Sequence, residues 1–517
     1  MAFEKQIEEH EQRRAKALAM GGPEKLARRR AMGVLNVRER VEYLLDPQSW
    51  EETGLFGTSI LAEMRDKTPT DGKVTGFGRI QGRTVAVVAN DFTVLGASSS
   101  ATNGKKIGHI KNIATRYGLP MVFLGESTGA RMPDVMGAIG MGVGAHRGGG
   151  SPNPAQYLRT RGTPWAAAVL GHAYGSSSWY ACMSDFMVMR KGAIMAVSSP
   201  RLVEMATRGQ VDPEALGGWK LHAEITGFAD QVVETDEAAL DAIKQFLSYL
   251  PSHHQETPPR LPVPEGSEEA SKDILQLLPQ VRTQVYDVRK IVQTIVDRDS
   301  YFELKGRFGK TAVTALARIA GRSVGIVANN PLFKGGALDA RACDKITSFL
   351  VLCDSFNIPL IFLVDQPGFL IGVEGERERI IGKVINWMNA LSLCTVPKLM
   401  VILRKSYGQA YLNMGGSGNA DEGAAWWTAD VSFMDPAAAA TIVSGVTEEE
   451  APERFHVVLE QMERETSAYD MAAVYGVQTV LDPRKTRSYL ARMLDIHQLR
   501  LTDGVGEHRL SSWHTSY

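Results

Sequence analysis

Cysteine is scarce: four in 517 residues (Cys182, Cys343, Cys353 and Cys394), none in C-x-x-C spacing. That excludes a disulfide framework and a zinc site of paired thiolates, and it predicts reduced thiols in cytoplasm or mitochondrial matrix. An excess of one charge is missing too. Lys and Arg number 57 against 58 Asp and Glu, for a net charge of −1, so there is no basic field for nucleic acid or an anionic membrane. Long apolar runs are absent. Runs such as "PLIFLV" fall far short of the roughly 20 residues a membrane-spanning helix needs. The first thirty residues are charged and lack an apolar core, so no secretory leader is expected. Familiar motifs are missing as well. The glycine-rich stretch Gly137 to Pro154 follows no Rossmann-type strand and reads as a mobile loop or lid, and "NGKKIG" lacks Walker spacing. The runs Ser98–Ser100 and Ser176–Ser178 lie near His172 but in no G-x-S-x-G elbow, so a serine hydrolase is not indicated. No metal cluster stands out, and His253–His254 reads as solvent-exposed linker.

What the chain does have is a repeat. "VTGFGRIQGRTVAVVAND" begins at Val74 and "VTALARIAGRSVGIVANN" at Val313, an offset of 239 (313 − 74), with ten of eighteen residues identical. The offset persists through Ile107/Ile346, Pro120/Pro359, Phe123–Leu124/Phe362–Leu363 and Gly129/Gly368. A later block, "TPWAAAVLGHAYGSSSW" against "VPKLMVILRKSYGQAYL", matches at 233 (397 − 164), with Tyr174–Gly175 over Tyr407–Gly408. The chain is a duplicated fold.

Within each copy, β-branched runs bounded by Gly and Asn ("RTVAVVAND", "RSVGIVANN") predict buried strands. "KKIGHIKNIATRYG" predicts a helix with Ile107, Ile110, Ile113, Ala114 and Tyr117 on one stripe, closed by Gly118. Ile346, Phe349, Leu350, Cys353 and Phe356 form the matching stripe. Strand–helix–strand order predicts a largely parallel sheet. The first fifty residues predict charged, solvated helices, with a capping box at Asn36 and Glu39. The Pro-, Ser- and Glu-rich stretch 256–273 reads as a linker without a packed element. It separates an N-terminal domain (1–255) from a C-terminal one (274–517). A strand ending in Tyr-Gly before small residues presents backbone N–H groups at a helix start. Such groups suit an anion, including a transient oxyanion.

Over nearly its whole length the chain resembles the carboxyltransferase (β) subunit of biotin-dependent acyl-CoA carboxylases, of the propionyl-CoA and methylcrotonyl-CoA carboxylase type. The resemblance rests on "LNVRERVEYLLDPQSWEE", "ESTGARM", "LGGWKLHAEITGFAD", "YDVRKIVQTIVDRDSYFEL", "RIAGRSVGIVANN", "GGALDARACDKITSFLVLCDSFNIPLIFLVDQPGFLIG" and "TVPKLMVILRKSYGQAY". It implies an α/β fold of two tandem crotonase-like ββα superhelix domains, acyl-CoA on the N-domain side and carboxybiotin on the C-domain side. It further implies active sites formed only between subunits of a dimer, commonly in a hexameric core. The implied partner is a biotin carboxylase and biotin carboxyl carrier (α) subunit, since the chain has no biotin-attachment "MKM". No metal is implied. Backbone donors at Gly175–Ser176 and Gln409–Ala410 would hold the enolate and the biotin-side anion. Gly129, Ala130, Arg131, Tyr174 and Leu412 would line the acyl-CoA side, and Pro367, Gly368, Phe369, Tyr407 and Gly408 the biotin side. The chain departs from the family pattern at Ser176 and Gln409, where glycines are usual, in "ESTGAR" (Glu126 to Arg131), and at Arg379–Ile381 and Val384–Trp387. Two alternatives stay open: a biotin-dependent acyl-CoA decarboxylase subunit, and a non-catalytic scaffold retaining the fold.

Overall fold

Each eighteen-residue copy folds as an antiparallel hairpin turning on two residues of positive φ, Gln81 (52°) with Gly82 (78°) and Ala320 (51°) with Gly321 (78°). That is the turn whose twist matches the flanking strands, which is why both copies keep glycine there. The computed structural model describes residues 3–138 and 158–514. The expected lid, from Ile139 onward to Pro154, therefore lies outside the described residues.

The chain divides into two units, Met1–His254 and Gln255–Tyr517. The first contains β1 (Glu51–Thr53), β2 (Lys73–Ile80), β3 (Arg83–Asn90), β4 (Met121–Ser127), β5 (Trp165–Tyr174), β6 (Phe186–Arg190), β7 (Ile194–Ala196) and β8 (Gln231–Val233). Their order is β1-β2-β3-β4-β5-β6-β8, with β7 beside the end of β5. The first three strands pair antiparallel and the rest parallel. The second unit contains β9 (Phe302–Leu304), β10 (Ala312–Ile319), β11 (Arg322–Asn329), β12 (Leu360–Gln366), β13 (Lys398–Tyr407), β14 (Glu422–Trp426), β15 (Asp430–Ser432) and β16 (Thr479–Leu481). It repeats the topology strand for strand. The fold is thus α/β, two tandem domains each built on an eight-stranded mixed sheet.

The two sequence offsets are also structural registers. Met121 pairs with Trp165 in β4–β5 and Leu360 with Lys398 in β12–β13. Each pair of strands then breaks register at the same place, between Gly125 and Ser127 and between Val364 and Gln366. The break splays the ends of β5 and β13 toward β7 and β15, and these splayed ends carry the Tyr-Gly turns.

A third register escaped the sequence reading. Val37–Glu52 aligns with Val288–Glu303 at an offset of 251 (288 − 37), with six of sixteen residues identical. Both helices start on side-chain caps, Asn36 and Asp287. Arg38 pairs with Glu52 at 2.7 Å and Arg289 with Glu303 at 2.8 Å. Asp46 accepts from the Gln81 and Gly82 amides, and Asp297 from those of Ala320 and Gly321. The duplication therefore begins at this helix.

Three local expectations need correction. The helix Ala101–Tyr117 does end at Gly118 (φ 70°) and buries Ile107, Ile110 and Ala114, but Tyr117 is 61% exposed and Ile113 only partly covered. The buried face runs instead through Asn103 and Lys106, because the Lys106 ammonium reaches the Thr70 carbonyl at 2.8 Å and closes the start of β2. The segment 256–273 does hold packed structure. Glu269–Asp273 forms a 3-10 turn, with Ser271 buried and its hydroxyl donating to the Thr294 carbonyl. His253 and His254 are half-buried, the His254 amide donating to the Gly162 carbonyl at 3.0 Å.

Candidate functional site

Each Tyr-Gly turn is forced by its glycine. Gly175 stands at φ 62°, ψ −129° and starts the helix Ser176–Met183; Gly408 stands at φ 62°, ψ −154° and starts Gln409–Asn413. Side chains rarely adopt this backbone region, so both turns are glycine positions by conformation. The first N–H groups of a helix have no acceptor within it. Here those groups are Ser176 and Ser177 in one unit, Gln409 and Ala410 in the other.

Past the register break, β4 and β12 lead into a second loop beside each turn. In the first unit the Ser99 amide donates to Gly129 O and the Arg131 amide to Ser99 O, both at 2.8 Å. A Cβ on Gly175 would lie 3.7 Å from the Gly129 Cα. The hydroxyls of Ser99 and Ser176 meet at 2.8 Å. The second unit repeats the loop, with Leu338 N to Gly368 O at 3.0 Å and Leu370 N to Leu338 O at 2.8 Å. The structure thus brings Gly129, Gly175 and Ser176 together in one unit, with Ala130 bridged to Ser99. In the other, Leu338 is bridged to Phe369 next to Gly368, and Gln366 donates to the Tyr407 carbonyl at 3.3 Å.

Several predicted residues serve as supports. Arg131 is buried: its guanidinium holds Asp71 at 2.5 Å and the Ser98 carbonyl at 3.2 Å, fixing the Gly129–Ala130 loop instead of facing a ligand. Tyr174 is buried and reaches His172 Nδ1 at 3.2 Å; burial pushes its phenol pKa up. Tyr407 is buried and donates to Asp430 at 2.6 Å, and burial with that carboxylate keeps its phenol protonated. Pro367 is exposed, and Phe369 packs edge-on to the buried Trp387 at 6.3 Å. Leu412 is half-buried. Gln409 is exposed, and its amide folds along its own helix to Asn413 at 3.4 Å. The side chain therefore does not cover the backbone donors.

Beneath each turn lies a buried carboxylate that sequence reading missed. Glu126 is held by Arg29 at 2.8 Å and by Arg40, which also binds Asp236 at 2.8 Å. Burial raises the Glu126 pKa, but Arg40 and Arg29 outweigh it and hold the carboxyl below its ordinary value. Arg29 and Arg40 are thus two residues of the charged leader that are not solvated. Asn90 ties this level to the turn, donating to the Glu126 carbonyl at 2.6 Å and to the Ser177 hydroxyl at 2.8 Å. In the second unit Asp365 takes the same position, bound by Arg404 at 2.8 Å and by the Tyr286 hydroxyl at 2.8 Å. Among the described residues, no group of three or more His, Cys, Asp or Glu side chains is placed to hold a metal, and no helix is long and apolar enough to cross a membrane.

Backbone donors at a helix start, one set after each glycine turn, are of the kind that stabilises oxyanions. Comparison with known proteins identifies the family. The family described as "Carboxyl transferase domain" matches residues 28–502. The methylmalonyl-CoA carboxyltransferase 12S subunit of Propionibacterium freudenreichii subsp. shermanii is 35% identical over 506 residues, covering 96% of this chain and 94% of that one. The propionyl-CoA carboxylase beta chain of Roseobacter denitrificans is 33% identical, covering 94% and 95%. A crystal structure of transcarboxylase 12S, a hexamer with methylmalonyl-coenzyme A and methylmalonic acid bound, superposes with a TM-score of 0.88 at 34% identity, covering 96% of each chain.

Proposed function

The chain belongs to the carboxyl transferase domain family as a carboxylase-type enzyme component, and we propose that it is the subunit that moves a carboxyl group between a partner's biotin and an acyl-CoA. The observation that carries this reading is the pair of related glycine turns, one per unit, each presenting helix-start N–H groups. Carboxybiotin on a separate biotin carboxylase and carrier subunit supplies the carboxyl group. The helix-start N–H groups of the Gly175–Ser176 turn, those of Ser176 and Ser177, take the thioester oxygen and hold it as negative charge develops on removal of the α-proton. Losing one such donor typically costs about 2.7–4 kcal/mol of barrier. The N–H groups of Gln409 and Ala410 take the ureido oxygen of biotin. Gly129, Ala130 and Leu412 bound the acyl-CoA side, and Gly368 and Phe369 the biotin side.

Assembly follows from exposed apolar residues near the turns. Val197 and Phe433, the residues after β7 and β15, are each 82% exposed, and Met205, Ile371 and Ile442 are exposed as well. Apolar groups left bare in this way support burial against other copies, in a dimer-based hexamer. Affinity purification from the native host tests the reading. The expected eluate contains a biotinylated partner and fixes [14C]bicarbonate into at least one member of an acyl-CoA panel in an ATP-dependent manner. An eluate without biotin, inactive in both carboxylation and decarboxylation, refutes it.

A further inference from the structure

The two serine runs that looked incidental in sequence meet in the fold. Ser99 lies 77 residues before Ser176, yet their hydroxyl oxygens stand 2.8 Å apart, both half-buried, one on the loop strand beside Gly129 and the other on the first residue after Gly175. A pair of hydroxyls holds two protons and spends one between them. Ser99 and Ser176 make no other side-chain hydrogen bond among the described residues, so one of the two O–H protons is left to donate elsewhere. His172, two residues before Tyr174 on the same strand, bonds Tyr174 instead, so among the described residues neither serine is paired with a base. Nucleophilic chemistry is therefore not what this pair does.

The second unit supplies an internal control. Its counterparts of Ser99 and Ser176 are Leu338, which is buried, and Gln409, which turns away to Asn413. The backbone loop and turn are the same; only the hydroxyl pair is different. The pair is thus a feature added to the first site and not a requirement of the fold.

From this geometry we infer that Ser176 Oγ, oriented by Ser99 Oγ, is a side-chain donor that joins the backbone N–H groups at the acyl-CoA oxyanion. The inference rests on the function proposed above. Ser99 touches no substrate and acts as a positioning residue. A donor that strengthens as charge develops acts on kcat and leaves KM nearly unchanged.

The test uses the complete complex with its biotin-bearing partner and the acyl-CoA it carboxylates best. Ser176→Ala and Ser176→Gly, which both keep the backbone N–H, are expected to lower kcat roughly 10- to 100-fold with KM within about threefold. Ser99→Ala is expected to lower kcat by about three- to tenfold, with Ser99→Thr restoring it, and the double alanine variant to be no worse than Ser176→Ala. An unchanged kcat in both Ser176 variants, or a loss confined to KM, overturns the hydroxyl assignment while the proposed function stands. A wild-type complex that transfers carboxyl to no acyl-CoA overturns both.

Discussion

The two units hold a buried carboxylate at the same place under their turns but obtain its counter-charge from different parts of the chain. In the first unit Glu126 is neutralised from outside the sheet, by Arg29 and Arg40 on the leading helices, and strand β5 carries Gly171 beside it. In the second, the strand residue corresponding to Gly171 is Arg404, which itself binds Asp365, while the helix residue corresponding to Arg40 is the buried Ile291. The carboxylate is one methylene shorter where the arginine comes from the strand, which leaves room for it. What the duplication kept is a buried ion pair under the turn; which element supplies each charge was free to change.

The largest expected effect comes from breaking either pair. Arg40→Leu leaves buried Glu126 with Arg29 as its counter-charge, and Arg404→Leu leaves buried Asp365 with Lys405 at 3.7 Å; each should destabilise its unit by about 3–5 kcal/mol in denaturant melts. Loss of less than 1 kcal/mol in both would show that the pairs are not structural.

Swapping the solutions gives a smaller effect with a sharper sign. A Cβ on Gly171 would sit 2.1 Å from Glu126 Oε1, so Gly171→Ala should cost about 1–3 kcal/mol. Glu126→Asp in the same chain should recover much of that loss, as the Asp365 arrangement implies. A strictly additive double variant would deny the coupling.

The units also differ in titration. Lys106 and Lys345 occupy the same helix position and cap strand-start carbonyls, and burial lowers their pKa values to about 8 and about 7. Below these values the folded and unfolded chains both hold the proton. Above them only the unfolded chain keeps it, up to the ordinary value of 10.5. Stability contributed by Lys345 should therefore rise with pH from about 7 to about 10.5, by at most ~1.4 kcal/mol per pH unit. Lys345→Met should remove a rise that starts about one unit lower than the one removed by Lys106→Met. Denaturant melts between pH 6 and 10 would read it. Smallest is Arg379, a non-glycine residue held at φ 62°. Arg379→Gly should stabilise the second unit by roughly 1 kcal/mol.

These contrasts explain what the sequence made legible. Strand–helix–strand order, the two registers and the Tyr-Gly turns were readable because they depend on local residues at constant spacing. The register at 251 was not, because its helices kept only the contacts that matter (Arg38–Glu52, Arg289–Glu303, the Asp46 and Asp297 caps) while the residues between them changed. Arg40 was read as a solvated helix charge because Glu126, its partner, lies 86 residues away. The Ser99–Ser176 contact is likewise long-range, and no periodicity reports a pair of hydroxyls brought together by two loops.

The most direct test of the central claim compares wild type with Gly175→Pro in the biotin-dependent labelling of acyl-CoA from [14C]bicarbonate, with folding of the variant verified by its melting transition. Proline removes a backbone N–H at the turn and cannot adopt φ 62°. The account predicts labelled acyl-CoA from wild type and none from a folded Gly175→Pro. A folded variant with normal turnover would contradict it.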